Sequence, residues 1–303
     1  MGAACTTGGA SARVDEGVAS LRSWYAQHRR ELPWRTPGIP AWHVLVSEVM
    51  LQQTPVARVV PAYHAWLGRW PGPAELAAAS PADVLCQWDR LGYPRRALRL
   101  QAAAAAIVAR HRSQVPTELD ALLALPGVGE YTARAVAAFA HGQRAAVVDT
   151  NVRRVVVRWA EGRATAARLP LAAVERLLPA DPAAAVLCSA ALMELGAVVC
   201  TARAPRCSSC PLAADCAWRG AGYPPDAGPP RRSQAWEGTV RQARGRILAL
   251  LRAAPCHAGD LGLVPAALLD RAVPDPDLRR RAVAGLISDG LAAAVGSGLA
   301  LPG

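Results

Sequence analysis

The sequence has 303 residues, of which 52% are hydrophobic, so the chain can bury a sizeable core and is too apolar to be disordered. All 34 of its basic residues are arginine, and the formal net charge is +11. The absence of lysine from the sequence excludes any chemistry that uses a lysine amine. Since a planar guanidinium binds two phosphate oxygens at once, this composition favours a protein that meets nucleic acid or another anionic surface.

Nothing in the sequence favours a membrane protein or a secreted protein. The longest apolar stretch, residues 183–200, contains Glu194 and predicts a buried helix rather than a membrane span. The first ten residues have neither the charged segment nor the apolar segment of a signal peptide. We therefore expect a disordered tail over residues 1–12 and a cytoplasmic protein. Disulfides are rare in that compartment, so the eight cysteines need another explanation.

In chain order, residues 13–217 are mostly helical in pattern, because apolar residues recur at spacings of three and four. Residues 218–235 are rich in glycine and proline and predict a linker. Residues 236–303 predict three short helices followed by a hairpin at 294–300, an arrangement that is typical of a winged helix.

Arginines cluster in this C-terminal segment. Three open its third predicted helix and three lie near its first: Arg279, Arg280, Arg281, Arg241, Arg244 and Arg246. They predict electrostatic binding to the phosphates of duplex DNA. The alternative is a solvated basic face that only packs on the rest of the protein.

Four cysteines lie within 17 residues, at the spacing C-x6-C-x2-C-x5-C: Cys200, Cys207, Cys210 and Cys216. Four thiolates this close can enclose one soft metal centre, either zinc or an iron–sulfur cube. Zinc sites more often show two CxxC pairs, and this sequence has one. The alternative is four unrelated buried cysteines.

This cysteine loop follows a helical pattern that ends in Met193-Glu194-Leu195-Gly196. The combination resembles the [4Fe–4S] loop of the helix-hairpin-helix DNA glycosylases, which include endonuclease III and the MutY-type adenine glycosylases. The resemblance implies one structural [4Fe–4S] cluster on the four cysteines, with Arg203 and Arg206 facing DNA.

The same resemblance implies an all-α fold with a defined domain organisation. Residues 13–40 and 150–217 form an iron–sulfur helical domain, and residues 41–149 form a helical barrel domain that contains the helix-hairpin-helix. The linker 218–235 then leads to a small winged-helix-like domain over 236–303.

The segment Leu125-Pro126-Gly127-Val128-Gly129 lies between two helical patterns. Its glycines permit a tight turn, and the start of the next helix favours an anion. An ordinary helix–helix turn is the alternative. By resemblance, the main-chain amides of Gly127, Val128 and Gly129 hold a DNA phosphate, often together with a bound monovalent cation, without reading the base sequence.

Asp149 stands at the start of another helical pattern, where its ordinary role is that of an N-cap. The resemblance implies the catalytic aspartate at this position, with Asn151 beside it, and the two roles are compatible. Tyr131 occupies the position at which bifunctional relatives carry a Schiff-base lysine. Its implied role is to help position the catalytic pair.

Glu48 is embedded in the apolar run SEVMLQQT. A glutamate at a solvated helix edge is the alternative, whereas a buried carboxylate is costly and its pKa is expected to rise. The run resembles the MutY signature closely, and endonuclease III-type enzymes lack this glutamate.

Further substrate contacts are implied by the same resemblance, although each of these residues could instead fill the core. The implied adenine pocket consists of Trp34, Arg35, Leu51, Val56 and Glu194. The implied wedge beside the oxidised guanine consists of Leu91 and Tyr93, with Gln53 and Thr54 near it. Pro94 departs from the family pattern, which often has a second tyrosine there.

The chemistry of adenine release needs two carboxylates, because the leaving base must be protonated while the sugar becomes a cation. Glu48 is the expected acid, Asp149 is the expected anion, and the adenine must leave the base stack. The sequence thus predicts a monofunctional glycosylase that removes adenine opposite 8-oxoguanine or guanine. We expect it to act as a monomer on double-stranded DNA in a bacterial nucleoid, away from membranes.

Two other functions are alternatives to this prediction. An endonuclease III-like pyrimidine glycosylase is disfavoured by Glu48 and Tyr131. A non-catalytic iron–sulfur DNA-binding protein would not need two carboxylates in these motifs. Many MutY-type enzymes read the oxidised guanine with a Nudix-like β domain, whereas residues 236–303 are mostly helical in pattern. Reading of that base is therefore expected to fall to the Tyr93 segment, the C-terminal segment, or both.

Overall fold

The computed structural model describes residues 8–166, 168–226, 236–254 and 262–303, with side chains from residue 14 onward. The described residues form fifteen α-helices: α1 (Gly8–His28), α2 (Ala41–Leu51), α3 (Val56–Arg69), α4 (Pro73–Ala78), α5 (Pro81–Trp88), α6 (Arg95–His111), α7 (Leu119–Leu123), α8 (Glu130–Phe139), α9 (Thr150–Glu161), α10 (Leu171–Glu175), α11 (Pro182–Val198), α12 (Ala217–Gly220), α13 (Val240–Ala253), α14 (Ala266–Ala272) and α15 (Pro276–Ser288). Short 3-10 helices lie at Pro33–Arg35, Asp89–Leu91 and Cys207–Ser209.

The predominantly helical fold confirms the predicted fold class. Three short strands lie in the C-terminal segment: β1 (Val264–Pro265), β2 (Ala293–Val295) and β3 (Gly298–Ala300). They form an antiparallel sheet in the order β1-β3-β2, with Ala294 opposite Leu299. The sequence predicted the β2–β3 hairpin but not β1, because a strand of two residues is too short to show alternation.

The described residues fall into two compact units. Unit 1 comprises those between 8 and 44, between 117 and 123, and between 129 and 226; unit 2 comprises those between 45 and 116, between 124 and 128, and between 236 and 303. The domain boundaries predicted from the sequence stay a prediction. Most of the predicted tail and the second half of the predicted linker lie outside the described residues.

The core of unit 1 is built on α1, α9 and α11. Val18, Leu21 and Tyr25 form a buried stripe on α1 and pack with residues of the other two helices. Helix α1 begins at Gly8, so residues 8–12 belong to a helix rather than to the predicted tail. Once this buried stripe has nucleated the helix, adding a turn of small residues at its N-terminus costs little.

The core of unit 2 joins the C-terminal segment to the first half of the chain. Ala82 and Leu85 of α5 pack in one buried cluster with Ile247 and Leu251 of α13 and with Leu286 of α15. Amphipathic helices of this length are stabilised mainly by such packing, so the C-terminal helices and α5 support one another.

The structure departs from the sequence expectation at Trp218 and agrees with it over residues 183–200. Trp218 was predicted to open the linker, yet it lies in α12, is only 9% exposed, and packs its ring 4.2 Å from the Arg158 guanidinium. The apolar stretch 183–200 forms the buried helix α11, as predicted. Among the described residues, no helix is long and apolar enough to cross a membrane.

Candidate active site

Glu48 is buried in α2, near the end of that helix. Its neighbours along the helix, Leu45, Val49 and Met50, are almost fully buried, and Glu48 itself is only 4% exposed. The prediction that Glu48 is buried is confirmed, and the alternative of a glutamate at a solvated helix edge is wrong. The catalytic role of Glu48 stays a prediction.

The C-terminal end of α2 is clamped by Arg96, a residue of α6 that the sequence analysis did not single out. The Arg96 guanidinium is buried and donates to six oxygens in unit 2: the carbonyls of Val49 (2.8 Å), Met50 (3.0 Å), Gln52 (2.6 Å), Leu91 (3.3 Å) and Gly92 (3.0 Å), and the hydroxyl of Thr54 (2.9 Å). Burial lowers the pKa of Arg96 to about 10, so the group stays charged at neutral pH. The clamp could have been noticed as an arginine on the apolar stripe of α6 that includes Leu100 and Ile107.

The clamp shapes the loop that carries Leu91 and Tyr93. Thr54 donates to the Leu91 carbonyl at 3.1 Å, so the predicted proximity of the Gln53–Thr54 pair to this loop is confirmed. Leu91 is buried, whereas Tyr93 is 48% exposed and has a left-handed backbone, with φ of 47°. Gln53 is also left-handed, with φ of 56°. Such strain persists only where surrounding contacts hold it, and here Arg96 supplies them.

Asp149 caps helix α9 in unit 1. Its Oδ1 accepts a hydrogen bond from the Val152 amide at 2.7 Å, and its Oδ2 accepts one from the Asn151 side chain at 2.8 Å. The N-cap role is therefore confirmed, while the catalytic role stays a prediction. The carboxylate is only half-buried, and both of its oxygens are held in a fixed orientation.

Arg154 fixes Asn151 in turn. Its guanidinium donates to the Asn151 side-chain oxygen, to the Gly196 carbonyl and to the Cys200 carbonyl, each at 2.7 Å. Helices α9 and α11 approach so closely at this point that a Cβ on Gly196 would lie 2.7 Å from the Asn151 Cβ. One buried network thus connects the Asp149 cap to the start of the cysteine loop.

Glu194 lies on α11 in unit 1 and its side chain is fully buried. Arg30 donates to it through its main-chain amide (3.1 Å), Nε (2.6 Å) and Nη2 (2.9 Å), and Arg35 donates through Nη2 (2.9 Å). Burial alone would raise the pKa of Glu194, but these hydrogen bonds and charges outweigh it and hold the pKa below its ordinary value. Glu194 therefore positions the segment that carries Trp34 and Arg35.

The predicted hairpin turn joins α7 to α8. Gly127 has a φ of 76°, and a Cβ there would lie 2.7 Å from the Cβ of Arg99, so glycine is required on both counts. Gly129 is the N-cap of α8 and has no side chain with which to cap the first amides of that helix. Amides at a helix start suit an anion. Tyr131 is half-buried in the first turn of α8 and packs against the buried cluster that contains Ala135, Ala138 and Val147.

The four cysteines of the predicted cluster line one small apolar cavity in unit 1, together with Arg158 and Trp218. Arg158 donates to the Cys200 sulfur at 3.5 Å and to the Thr201 carbonyl at 2.8 Å. Burial and the neighbouring thiols raise the pKa of Cys210 to about 11. A set of four half-buried thiols with a cation beside it fits an anionic metal centre.

Among the described residues, no three His, Cys, Asp or Glu side chains are arranged to hold a single metal ion. The four cysteines therefore stay a predicted ligand set. Arg203 and Arg206, predicted to face DNA, are both exposed on this loop.

Of the other residues predicted to contact substrate, some lie in unit 1 and some in unit 2. Leu51 and Val56 are half-buried at the junction of α2 and α3 in unit 2, and Trp34 is 8% exposed in unit 1. Burial of this degree is compatible both with a pocket wall and with core filling, so their roles stay predictions.

Comparison with known proteins identifies related chains. A model of the HhH-GPD superfamily of base excision DNA repair proteins matches residues 46–178. The chain is 53% identical over 289 residues to an adenine DNA glycosylase of Mycobacterium tuberculosis, covering 94% of this chain and 93% of that one. It is 42% identical over 217 residues to the adenine DNA glycosylase of Homo sapiens, covering 68% of this chain and 40% of that one. A solved thermostable thymine-DNA glycosylase is similar with a TM-score of 0.64 and 25% identity, over 70% of this chain and 99% of that one.

The Glu194 ion pairs make a prediction about stability. Glu194→Gln leaves two arginines without their shared carboxylate, so it should lower the free energy of unfolding near neutral pH. We expect a loss of about 2–3 kcal/mol. This is less than the loss for a fully buried ion pair, because both arginines are partly exposed. The folded-state pKa lies below the ordinary 4.5, so the stabilisation is complete above that value and is lost as the pH falls through the folded-state pKa.

Urea unfolding from pH 7 down to about pH 3 measures this effect. The gap between the original protein and Glu194→Gln should shrink as the pH falls, because protonation leaves both side chains neutral. The control is Glu118→Gln, an exposed glutamate of unit 1, which should change the midpoint little at any pH. A gap that stays constant over the whole range would contradict the assignment.

Proposed function

The chain belongs to the adenine DNA glycosylases of the helix-hairpin-helix base excision repair superfamily, and we propose that it hydrolyses the glycosidic bond of adenine that lies opposite 8-oxoguanine or guanine in double-stranded DNA. The observation that carries the proposal is the buried carboxylate of Glu48, in a helix whose end is clamped by Arg96. A carboxyl group in apolar surroundings is suited to hold a proton near neutral pH and to deliver it to a base.

Glu48 is the general acid of the proposed reaction. It gives its proton to N7 of adenine, so that the base leaves with the electron pair of the bond between N9 and C1′ of the sugar. A neutral adenine is a better leaving group than an adenine anion, which is why the protonation lowers the barrier. The adenine must first leave the base stack to reach this side chain.

Asp149 stabilises the cation that develops on the sugar. Its carboxylate is held by the Val152 amide and by Asn151, so its orientation is set before substrate binds. It acts electrostatically or through a transient covalent bond to C1′. A water molecule then adds at C1′ and loses a proton, which leaves an abasic site.

The proposed enzyme is monofunctional. Tyr131 stands at the position of the Schiff-base lysine of bifunctional relatives, and the sequence has no lysine. No side-chain amine is therefore available to attack the sugar and break the strand. Tyr131 instead contributes a hydroxyl that helps to position the catalytic pair.

DNA is held mainly through its phosphates. The start of α8, with Gly127, Val128 and Gly129 in the preceding turn, binds one phosphate through main-chain amides, with a monovalent cation as a further ligand. The net charge of +11 favours association with chromosomal DNA throughout the nucleoid. One chain supplies both proposed carboxylates, and the proposed enzyme acts as a monomer.

Cys200, Cys207, Cys210 and Cys216 would hold one [4Fe–4S] cluster. When bound, the cluster supplies a cross-link among the turns of the 200–216 loop and has no part in bond breaking. Arg158 donates to the Cys200 sulfur and so offsets the negative charge of the ligand set. The exposed side chains of Arg203 and Arg206 on the same loop are then available for phosphates.

The proposed mechanism is tested by removing each carboxyl group without changing its size. Glu48→Gln should slow single-turnover adenine release by about 100- to 10,000-fold, because it removes the general acid, while leaving DNA affinity nearly unchanged. Asp149→Asn should be comparably slow. Glu75→Gln, an exposed glutamate of unit 2, is the control and should release adenine at the original rate. Near-normal release by Glu48→Gln would contradict the mechanism.

The cluster is tested by analysis of the protein purified without oxygen. It should be brown and contain iron and acid-labile sulfide in equal amounts. Cys207→Ser should lose both and impair folding or DNA binding. Cys86→Ser, which changes a cysteine of unit 2 far along the chain from the loop, should keep them. Stoichiometric zinc without iron would contradict the assignment.

A further inference from the structure

The two terminal nitrogens of the Arg96 guanidinium bond to different segments of unit 2. Nη1 donates to three carbonyls at the end of α2, those of Val49, Met50 and Gln52. Nη2 donates to the Thr54 hydroxyl and to two carbonyls of the loop that carries Tyr93, those of Leu91 and Gly92. The third nitrogen, Nε, is buried and has no hydrogen-bond partner in the described part of the chain. Arg96 therefore acts through its terminal nitrogens, and these join the two segments.

The end of α2 depends on this contact, because the helix leaves carbonyls there without their usual partners. In a continuing α-helix the Met50 carbonyl would accept a hydrogen bond from the Thr54 amide. That amide bonds instead to the Leu51 carbonyl at 3.3 Å, and Arg96 bonds to the Met50 carbonyl at 3.0 Å. Arg96 thus fixes the last turn of α2, which carries Glu48.

The loop that carries Tyr93 is held from the same side chain. The Gly92 carbonyl accepts hydrogen bonds from Arg96 Nη2 and from Trp88 Nε1, each at 3.0 Å. The guanidinium lies 5.2 Å from the ring centre of Trp88 and 5.5 Å from that of Tyr93. Trp88 is fully buried, whereas Tyr93 is 48% exposed. A displacement of the exposed loop therefore acts directly on the buried guanidinium.

The guanidinium transmits such a displacement because it is planar and delocalised, so that its two terminal nitrogens move together. A shift of the loop at Nη2 is accompanied by a shift at Nη1, which bonds to the residue directly after Glu48. The Thr54 hydroxyl provides a second connection between the segments, since it donates to the Leu91 carbonyl at 3.1 Å.

The position of α2 matters for the proposed chemistry. A general acid must lie within hydrogen-bond reach of the atom that it protonates. A displacement of about 1 Å, even one that starts far from the reacting atoms, costs about 100-fold in rate. Arg96 is only 7% exposed and bonds to the backbone of the acid's helix, so it influences the reaction through the placement of Glu48.

We propose that Arg96 is a positioning residue of the reaction, which couples the loop of Tyr93 to the helix of Glu48 so that contact of this loop with DNA aligns the acid with the base. The inference rests on the proposed function, because the role of Arg96 is exerted through the proposed acid. Loss of this coupling slows the protonation of the base and leaves the binding of DNA largely intact.

Arg96→Lys tests the coupling in the full-length, cluster-containing protein. Lysine keeps the charge but has a single nitrogen, which cannot bridge the carbonyls of both segments as a planar fork does. Single-turnover adenine release opposite 8-oxoguanine, with the enzyme saturating, should slow by about 100-fold. Affinity for a duplex with 2′-fluoro-adenosine, whose glycosidic bond resists cleavage, should change little. Arg110→Lys, the same substitution at an exposed position in the last turn of α6, is the control and should release adenine at the original rate.

A double-mutant cycle with Glu48→Gln distinguishes positioning from a general structural role. When the acid is absent, Arg96→Lys has no acid to misplace, so the double variant should release adenine as slowly as Glu48→Gln alone and no slower. A structural role would slow release by the same factor in both backgrounds. That additive result would overturn the proposal, and so would an original rate in Arg96→Lys.

A milder variant keeps the proposal testable if urea unfolding shows that Arg96→Lys is not folded under the assay conditions. Thr54→Val has nearly the same shape and removes only the second connection, the hydroxyl that bonds to the Leu91 carbonyl. It should slow release by a smaller factor, and this slowing should be absent in the Glu48→Gln background. Equal slowing in the two backgrounds, or none in either, would count against the coupling.

The original protein separates failure of this proposal from failure of the proposed function. If it releases adenine from no mispair, the function is wrong. If it does release adenine, and the Arg96→Lys effect is absent or additive, the function stands and Arg96 serves the stability of unit 2 alone.

Discussion

The buried guanidinium of Arg96 is the constraint on which the part of unit 2 that carries Glu48 and Tyr93 depends. It donates to six oxygens at the end of α2 and in the turn before α6, so it joins the helix of Glu48 to the loop of Tyr93. The two terminal nitrogens of the guanidinium make all six hydrogen bonds, and these bonds offset the cost of burying the charge. The backbone carbonyls of two segments are therefore held in one arrangement, including the left-handed residues that no local preference would choose.

The same device recurs in unit 1, where Arg154 and Arg158 hold helix α9 against the cysteine loop. Arg154 connects the Asp149 cap, through Asn151, to the Gly196 and Cys200 carbonyls. A buried carboxylate plays the corresponding part at Glu194, which accepts hydrogen bonds from Arg30 and Arg35, on either side of Trp34 in the sequence. A chain whose basic residues are all arginine is suited to this construction, because lysine has no planar fork with which to bridge several carbonyls. Rigid first contacts supported by a second layer of hydrogen bonds are what precise catalysis requires.

Local patterns were enough to predict much of this protein. The helical fold, the burial of Glu48, the Asp149 cap, the turn at Gly127 and the gathering of four cysteines all follow from residue type and spacing over a few turns. The contacts that Arg96 makes with the end of α2 and the partners of Glu194 did not, because they join residues 42 to 164 positions apart, whose proximity is set by tertiary packing. Trp218 was assigned to a linker for the same reason. The sequence after it is rich in glycine and proline, whereas its contact with Arg158 joins residues that are distant in the chain.

The central claim is that the chain releases adenine from a mispair and leaves the strand intact. Single-turnover assays on duplexes with adenine opposite 8-oxoguanine, guanine or thymine test it most directly, when the DNA is analysed before and after treatment with hot alkali. The account predicts release from the 8-oxoguanine and guanine mispairs, no release opposite thymine, and strand cleavage only after alkali. Release of a damaged pyrimidine in place of adenine, or cleavage of the strand before alkali, would contradict it.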